Sequence, residues 1–73
     1  MSDKVREQIK WLVGELLRNT SGNVVMHIVY DERKKEAQVY QGGEKVAIIS
    51  DEASSFTFPL TDKQIAELYE ITK

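Results

Sequence analysis

The chain has 73 residues, no cysteine, 41% hydrophobic and 30% charged residues, and a net charge of −2. That bounds it to one domain and excludes a disulfide scaffold, a thiolate metal site and a disordered tail. The near-neutral balance lacks the clustered Lys and Arg that displace counterions from nucleic acid, and no apolar run approaches the roughly 20 residues of a membrane span.

The first predicted element is a helix from about Asp3 to Asn19, capped by Ser2 or Asp3. Val5, Ile9, Leu12, Val13, Leu16 and Leu17 recur at the spacing of one apolar helical stripe. At roughly 100° per residue, Trp11 points about 160° away from the centre of that stripe. Its neighbours there are Lys4, Glu7, Gly14, Glu15 and Arg18. A large aromatic beside a mid-helix glycine, among charges, reads as an exposed surface that a partner approaches closely. Asn19-Thr20-Ser21-Gly22-Asn23 is a helix-stop signal, with Gly22 suited to the left-handed conformation.

Three β-forming runs follow: Val24 to Tyr30, Lys35 to Gln41 and Lys45 to Ser50. Gly42-Gly43 predicts a two-residue hairpin turn, because primed turns need positive φ. Asp31-Glu32-Arg33-Lys34 is short enough for a four-residue loop. The resulting register opposes Val39 to Val46 and Ala37 to Ile48. It gathers Val24, Met26, Ile28, Tyr30, Ala37, Val39, Val46 and Ile48 on a core face, and a two-residue slip in either hairpin keeps that parity. The other face then carries Val25, His27, Val29, Gln38, Tyr40, Ala47 and Ile49. An open sheet face is normally polar, so its apolar first and third strands predict a cover, either the second helix or another chain. Ser55 to Phe58 is a fourth edge strand or an ordered lead-in, ended by Pro59. Thr61 and Gln64 form a capping box for a second helix, with Leu60 and Ile65 as its hydrophobic staple. Ile65, Leu68, Tyr69 and Thr72 make that helix's inner stripe, with Ile71 at its margin.

No nucleophile, base and orienting group come together in this pattern. His27, the single histidine, lies on the outer sheet face with Glu36 and Gln38 as its nearest candidate partners, and reads as a strand histidine rather than a catalytic base. Asp31-Glu32, Asp51-Glu52 and Asp62 lack calcium-loop spacing. Gly42-Gly43 joins two strands, so it is a turn and not a phosphate loop. Arg33-Lys34-Lys35 is flanked by Glu32 and Glu36, which largely cancel its field.

These elements predict an α+β fold over residues 1–73. It is a two-layer domain in which a helix, a meander of three or four antiparallel strands and a second helix follow one another. That order resembles the architecture of the double-stranded RNA-binding domain. The resemblance covers most of the chain as topology and implies nucleic-acid binding as the alternative function. In that family the second helix opens with a phosphate-gripping lysine cluster, whereas this chain reads Thr61-Asp62-Lys63-Gln64. The residues themselves predict a non-catalytic protein-interaction module with no cofactor or metal, acting as a regulator or inhibitor of a larger protein. A small domain without a staple gains stability by self-association, so a homodimer through the outer sheet face is expected. An unidentified protein is expected at the Trp11/Gly14 face. The expected partner-binding residues are Trp11, Gly14, Arg18, Val25, Val29, Tyr40 and Ile49. Met1 to Val5 lacks the basic-then-apolar layout of a secretory signal, which makes the expected location cytoplasmic.

Overall fold

The computed structural model describes residues 1–18 and 25–73. Helix α1 (Asp3–Arg18) is followed by strands β1 (Met26–Asp31), β2 (Glu36–Gln41), β3 (Glu44–Ser50) and β4 (Ser54–Phe56), and then by helix α2 (Asp62–Thr72). The strands form one open antiparallel sheet in the order β1-β2-β3-β4. This is the α+β meander expected, with the fourth strand present. The helix-stop segment 19–23 and Val24 lie outside the described residues.

Local signals set most of the element boundaries. Ser2 caps α1: its Oγ accepts from Val5 N at 3.1 Å, and its carbonyl takes the first helical bond from Arg6 N. Its hydroxyl also donates to Asp51, tying the helix start to the β3–β4 turn. Thr61 and Gln64 close the capping box of α2: Gln64 N donates to Thr61 Oγ1 at 3.2 Å and Thr61 N donates to Gln64 Oε1 at 2.9 Å. Gly42 and Gly43 both adopt positive φ, +60° and +83°, as a two-residue primed turn requires.

The two hairpins treat the predicted register differently. In the first, Ile28 faces Val39 and Tyr30 faces Ala37. That is the two-residue slip that keeps every side chain on its predicted face. In the second, the turn is as expected, with Gln41 facing Glu44 and Tyr40 facing Lys45, but Val39 then faces Ala47. Val46 is therefore an extra residue, a β-bulge. Its carbonyl accepts instead from Thr57 N at 3.0 Å and from Thr57 Oγ1 at 3.3 Å. A one-residue shift exchanges the faces of all that follows. Ala47 and Ile49 are thus carried to the inner face and Ile48 to the outer one. Ile49, expected outside as a partner contact, is 0% exposed and central to the core.

The core is Val5 and Leu12 of α1 against Ala37, Val39, Val46, Ala47 and Ile49. Two of the five sheet residues are alanines, so the helix lies on a small-residue surface. The line of α1 that reaches it is Val5, Gln8, Leu12 and Glu15, all buried. Relative to the predicted stripe the helix is turned about its axis by roughly 80°. Leu17 is consequently 55% exposed, while Trp11 swings onto the covered flank. Buried Gln8 and Glu15 are satisfied. The Ser54 hydroxyl donates to Gln8 Oε1 at 2.6 Å, and Gln64 Nε2 donates to Glu15 Oε2 at 3.2 Å. Those two bonds fasten α1 to β4 and to α2. Helix α2 also departs from expectation. Its half-buried residues are Gln64, Glu67, Leu68, Ile71 and Thr72, whereas Ile65 and Tyr69 face water.

Candidate interaction surface

The predicted Trp11 surface is largely closed. The indole meets Phe56 edge-on, with ring centroids 6.2 Å apart at 76°. Phe58 extends the aromatic row at 5.7 Å from Phe56. Trp11 Nε1 donates to Glu67 Oε2 at 3.0 Å, so the ring is wedged between β4 and α2. The expectation of a solvent-exposed tryptophan assumed that the apolar stripe faced the sheet; the rotation of α1 overturns it. Gly14 has open space where a Cβ would stand, with no heavy atom within 4 Å. Among the described residues, no close approach of backbone requires it. Arg18 is exposed and pairs with Glu15 at 3.2 Å.

The outer sheet face is uncovered but less apolar than expected, because the bulge has withdrawn Ala47 and Ile49. Along its centre runs a polar ladder on β2. The Tyr40 hydroxyl donates to Gln38 Oε1 at 3.1 Å, and Gln38 Nε2 donates to Glu36 Oε1 at 3.4 Å. Lys45 Nζ stands 5.9 Å from the Tyr40 ring centroid, a cation–π contact. His27 is exposed opposite Tyr40. Its candidate partners Glu36 and Gln38 are engaged in the ladder.

Besides Leu17 on α1 and Ile65 and Tyr69 on α2, three exposed large hydrophobics gather at β1. Val25 is 64%, Val29 50% and Ile28 43% exposed. Val29 belongs to the outer face and Ile28 to the inner, so both sides of this strand are wet. The reason is the position of α1. It contacts β3, and its Trp11 flank turns toward β4 and α2. By the helical wheel the opposite flank carries Ile9 and Val13, whereas Leu17 points away from the sheet, about 160° from the buried line. This continuity of helix flank and strand was missed in the sequence. The signal for it was the width of the apolar stripe, which exceeds what a sheet of alanines and valines can cover.

β1 is also an edge strand. The other edge, β4, is three residues long and is followed by Pro59, two common ways of blunting an edge. β1 has six residues, and Met26 to Tyr30 include no Lys, Pro or carboxylate. Gly42 N donates to Val25 O at 3.0 Å, so Val25 turns its backbone groups toward β2. By the alternation of an antiparallel ladder, His27, Val29 and Asp31 do the same, and Met26, Ile28 and Tyr30 turn their N–H and C=O to the open edge.

A concavity of about 480 Å³ lies between the end of α1, the β2–β3 hairpin and the start of α2. Two of its polar lining groups, Glu15 and Gln64, already satisfy each other. Among the described residues no three His, Asp or Glu side chains are grouped as metal ligands, and no helix is long and apolar enough to cross a membrane. No protein-family model, curated protein or solved structure matches the chain.

Proposed function

We propose that the chain is a small non-catalytic protein-interaction module whose docking surface is the β1 edge and the adjoining α1 flank. It acts by occupancy, regulating or inhibiting a larger protein by covering part of its surface. The observation that carries this reading is the state of β1. Among the described residues its outward backbone groups have no strand beside them, and Val25, Ile28 and Val29 stand exposed around them. Main-chain groups at an open edge supply affinity when a strand is added, and the side chains that alternate along it supply selectivity. The outer sheet face, with its polar ladder, contributes through Val25 and Val29 at its margin.

The test is affinity capture from the source cell with tagged wild type, Val29→Lys and Glu70→Lys. Val29 is on the surface and Glu70 is exposed on α2, so both variants keep the fold by circular dichroism. A partner recovered by wild type and Glu70→Lys but lost with Val29→Lys supports the reading; untagged copies of the chain count as a partner. Identical recovery by all three contradicts it.

A further inference from the structure

We infer that the occupant of the β1 edge is the β1 edge of a second copy, paired antiparallel about a two-fold axis at Ile28. This rests on the reading of β1 as the interaction surface and adds the identity and register of its partner. A two-fold axis perpendicular to the sheet keeps the inner faces of both copies on one side, so an inner residue must oppose an inner residue. The residues with outward backbone groups, Met26, Ile28 and Tyr30, are the inner ones. With Ile28 opposite Ile28 of the second copy, Met26 falls opposite Tyr30, and each outward N–H and C=O meets a counterpart. A slip of two residues in either direction leaves Met26 or Tyr30 opposite a residue beyond β1. One register therefore pairs the whole edge.

Side-chain chemistry favours the same alignment. On the outer face, His27 falls opposite Val29, and Val25 opposite Asp31. The charged group of the strand, Asp31, is thereby held at opposite ends of the seam in the two copies. Its diagonal neighbour across the seam is His27, so a carboxylate meets an imidazole and no like charges are opposed. On the inner face the two-fold axis brings the α1 flanks that carry Ile9 and Val13 to the same side of the paired sheet as the Ile28 side chains. The apolar surface that α1 leaves uncovered in one copy is then covered by the other. A chain of 73 residues without disulfides gains in this way the burial that its own core lacks.

The test combines sedimentation equilibrium with cross-linking. Wild type is expected to sediment as a reversible dimer. Ile28→Pro removes an N–H that faces away from β2 and bonds to none of the described residues of one copy, so it is expected to give a monomer with the wild-type circular dichroism spectrum. The chain has no cysteine, so introduced thiols report the register. His27 and Val29 of opposite copies form a non-hydrogen-bonded pair with Cα atoms about 4.5 Å apart, within disulfide reach. Two His27 or two Val29 residues are diagonal, at about 7–8 Å, and out of reach. Oxidising a mixture of His27→Cys and Val29→Cys should therefore give the covalent heterodimer, while each variant alone stays uncross-linked. Wild type that stays monomeric up to about 1 mM, where even a millimolar Kd would populate the dimer, overturns the proposal. So does cross-linking of Val29→Cys with itself. Should Ile28→Pro fail to fold, the cross-link decides. A monomeric wild type whose capture of a different protein is lost with Val29→Lys removes the second copy and leaves the interaction surface standing.

Discussion

Replacing Trp11 by alanine is expected to destabilise the domain severely. The indole is partly buried, sits edge-on against Phe56 and donates from Nε1 to Glu67 at 3.0 Å. Truncating a fully buried Trp costs about 3–5 kcal/mol. Partial exposure lowers that, but the lost aromatic pair, about 0.5–1.5 kcal/mol, and the lost hydrogen bond, about 0.5–1.5 kcal/mol, fall within the same change. A loss of about 2–3 kcal/mol is the result. For a domain of this size each kcal/mol moves Tm by about 4–8 °C, so thermal unfolding followed by circular dichroism should show a drop of about 10–20 °C. Trp11→Phe keeps an aromatic ring against Phe56 and releases Glu67, and should recover more than half of that loss. An unchanged Tm for Trp11→Ala would refute the packed indole and restore the reading of Trp11 as a free contact surface.

The bulge at Val46 makes a contrast between neighbours. Ile49→Lys places an unpaired charge in the core, costs about 3–5 kcal/mol and should unfold the chain, whereas Ile48→Lys on the outer face should stay folded in the same denaturant titration. Gly14→Ala has open space for its methyl group and should stabilise α1 by about 0.5–1 kcal/mol, read as a rise in the urea midpoint. Duplex RNA should bind more weakly than about 1 μM at physiological salt, by fluorescence anisotropy. At the start of α2, Thr61 and Gln64 are occupied in capping the helix and Lys63 stands beside Asp62.

Element order and both helix caps were legible because each is written in a few adjacent residues. The Thr61–Gln64 box and the Gly42-Gly43 turn act locally and are used as read, and of the two cap residues the sequence offers for α1 the structure uses Ser2. The first hairpin slipped by two residues without consequence, since parity protects the faces. The second did not, because a bulge has no local signature in Lys45-Val46-Ala47-Ile48. Each of Val46, Ala47, Ile48 and Ile49 suits either face, and the choice is made by what α1 presents. The rotation of α1 was equally hidden. Counting apolar residues centres the stripe near Ile9 and Leu16, but two residues of the buried line, Gln8 and Glu15, are polar. They are tolerated because Ser54 and Gln64, distant in sequence, satisfy them. The Trp11 site followed from that error. The β1 surface was half legible: Val25 and Val29 were identified as exposed apolar residues, whereas Ile28 was assigned to the core. Its exposure follows from a helix too narrow to reach the sheet's first strand.

Amide exchange at β1 tests the central claim most directly. The Met26, Ile28 and Tyr30 amides point away from β2 and are unprotected in one isolated copy, while those of His27 and Val29 are held in the ladder. Exchange measured residue by residue by NMR across a concentration series should show Met26, Ile28 and Tyr30 slowing together as concentration rises, with His27 and Val29 nearly unchanged. Outward amides that exchange at the free rate at every concentration, and in the presence of any captured partner, would contradict the assignment of β1 as the docking edge.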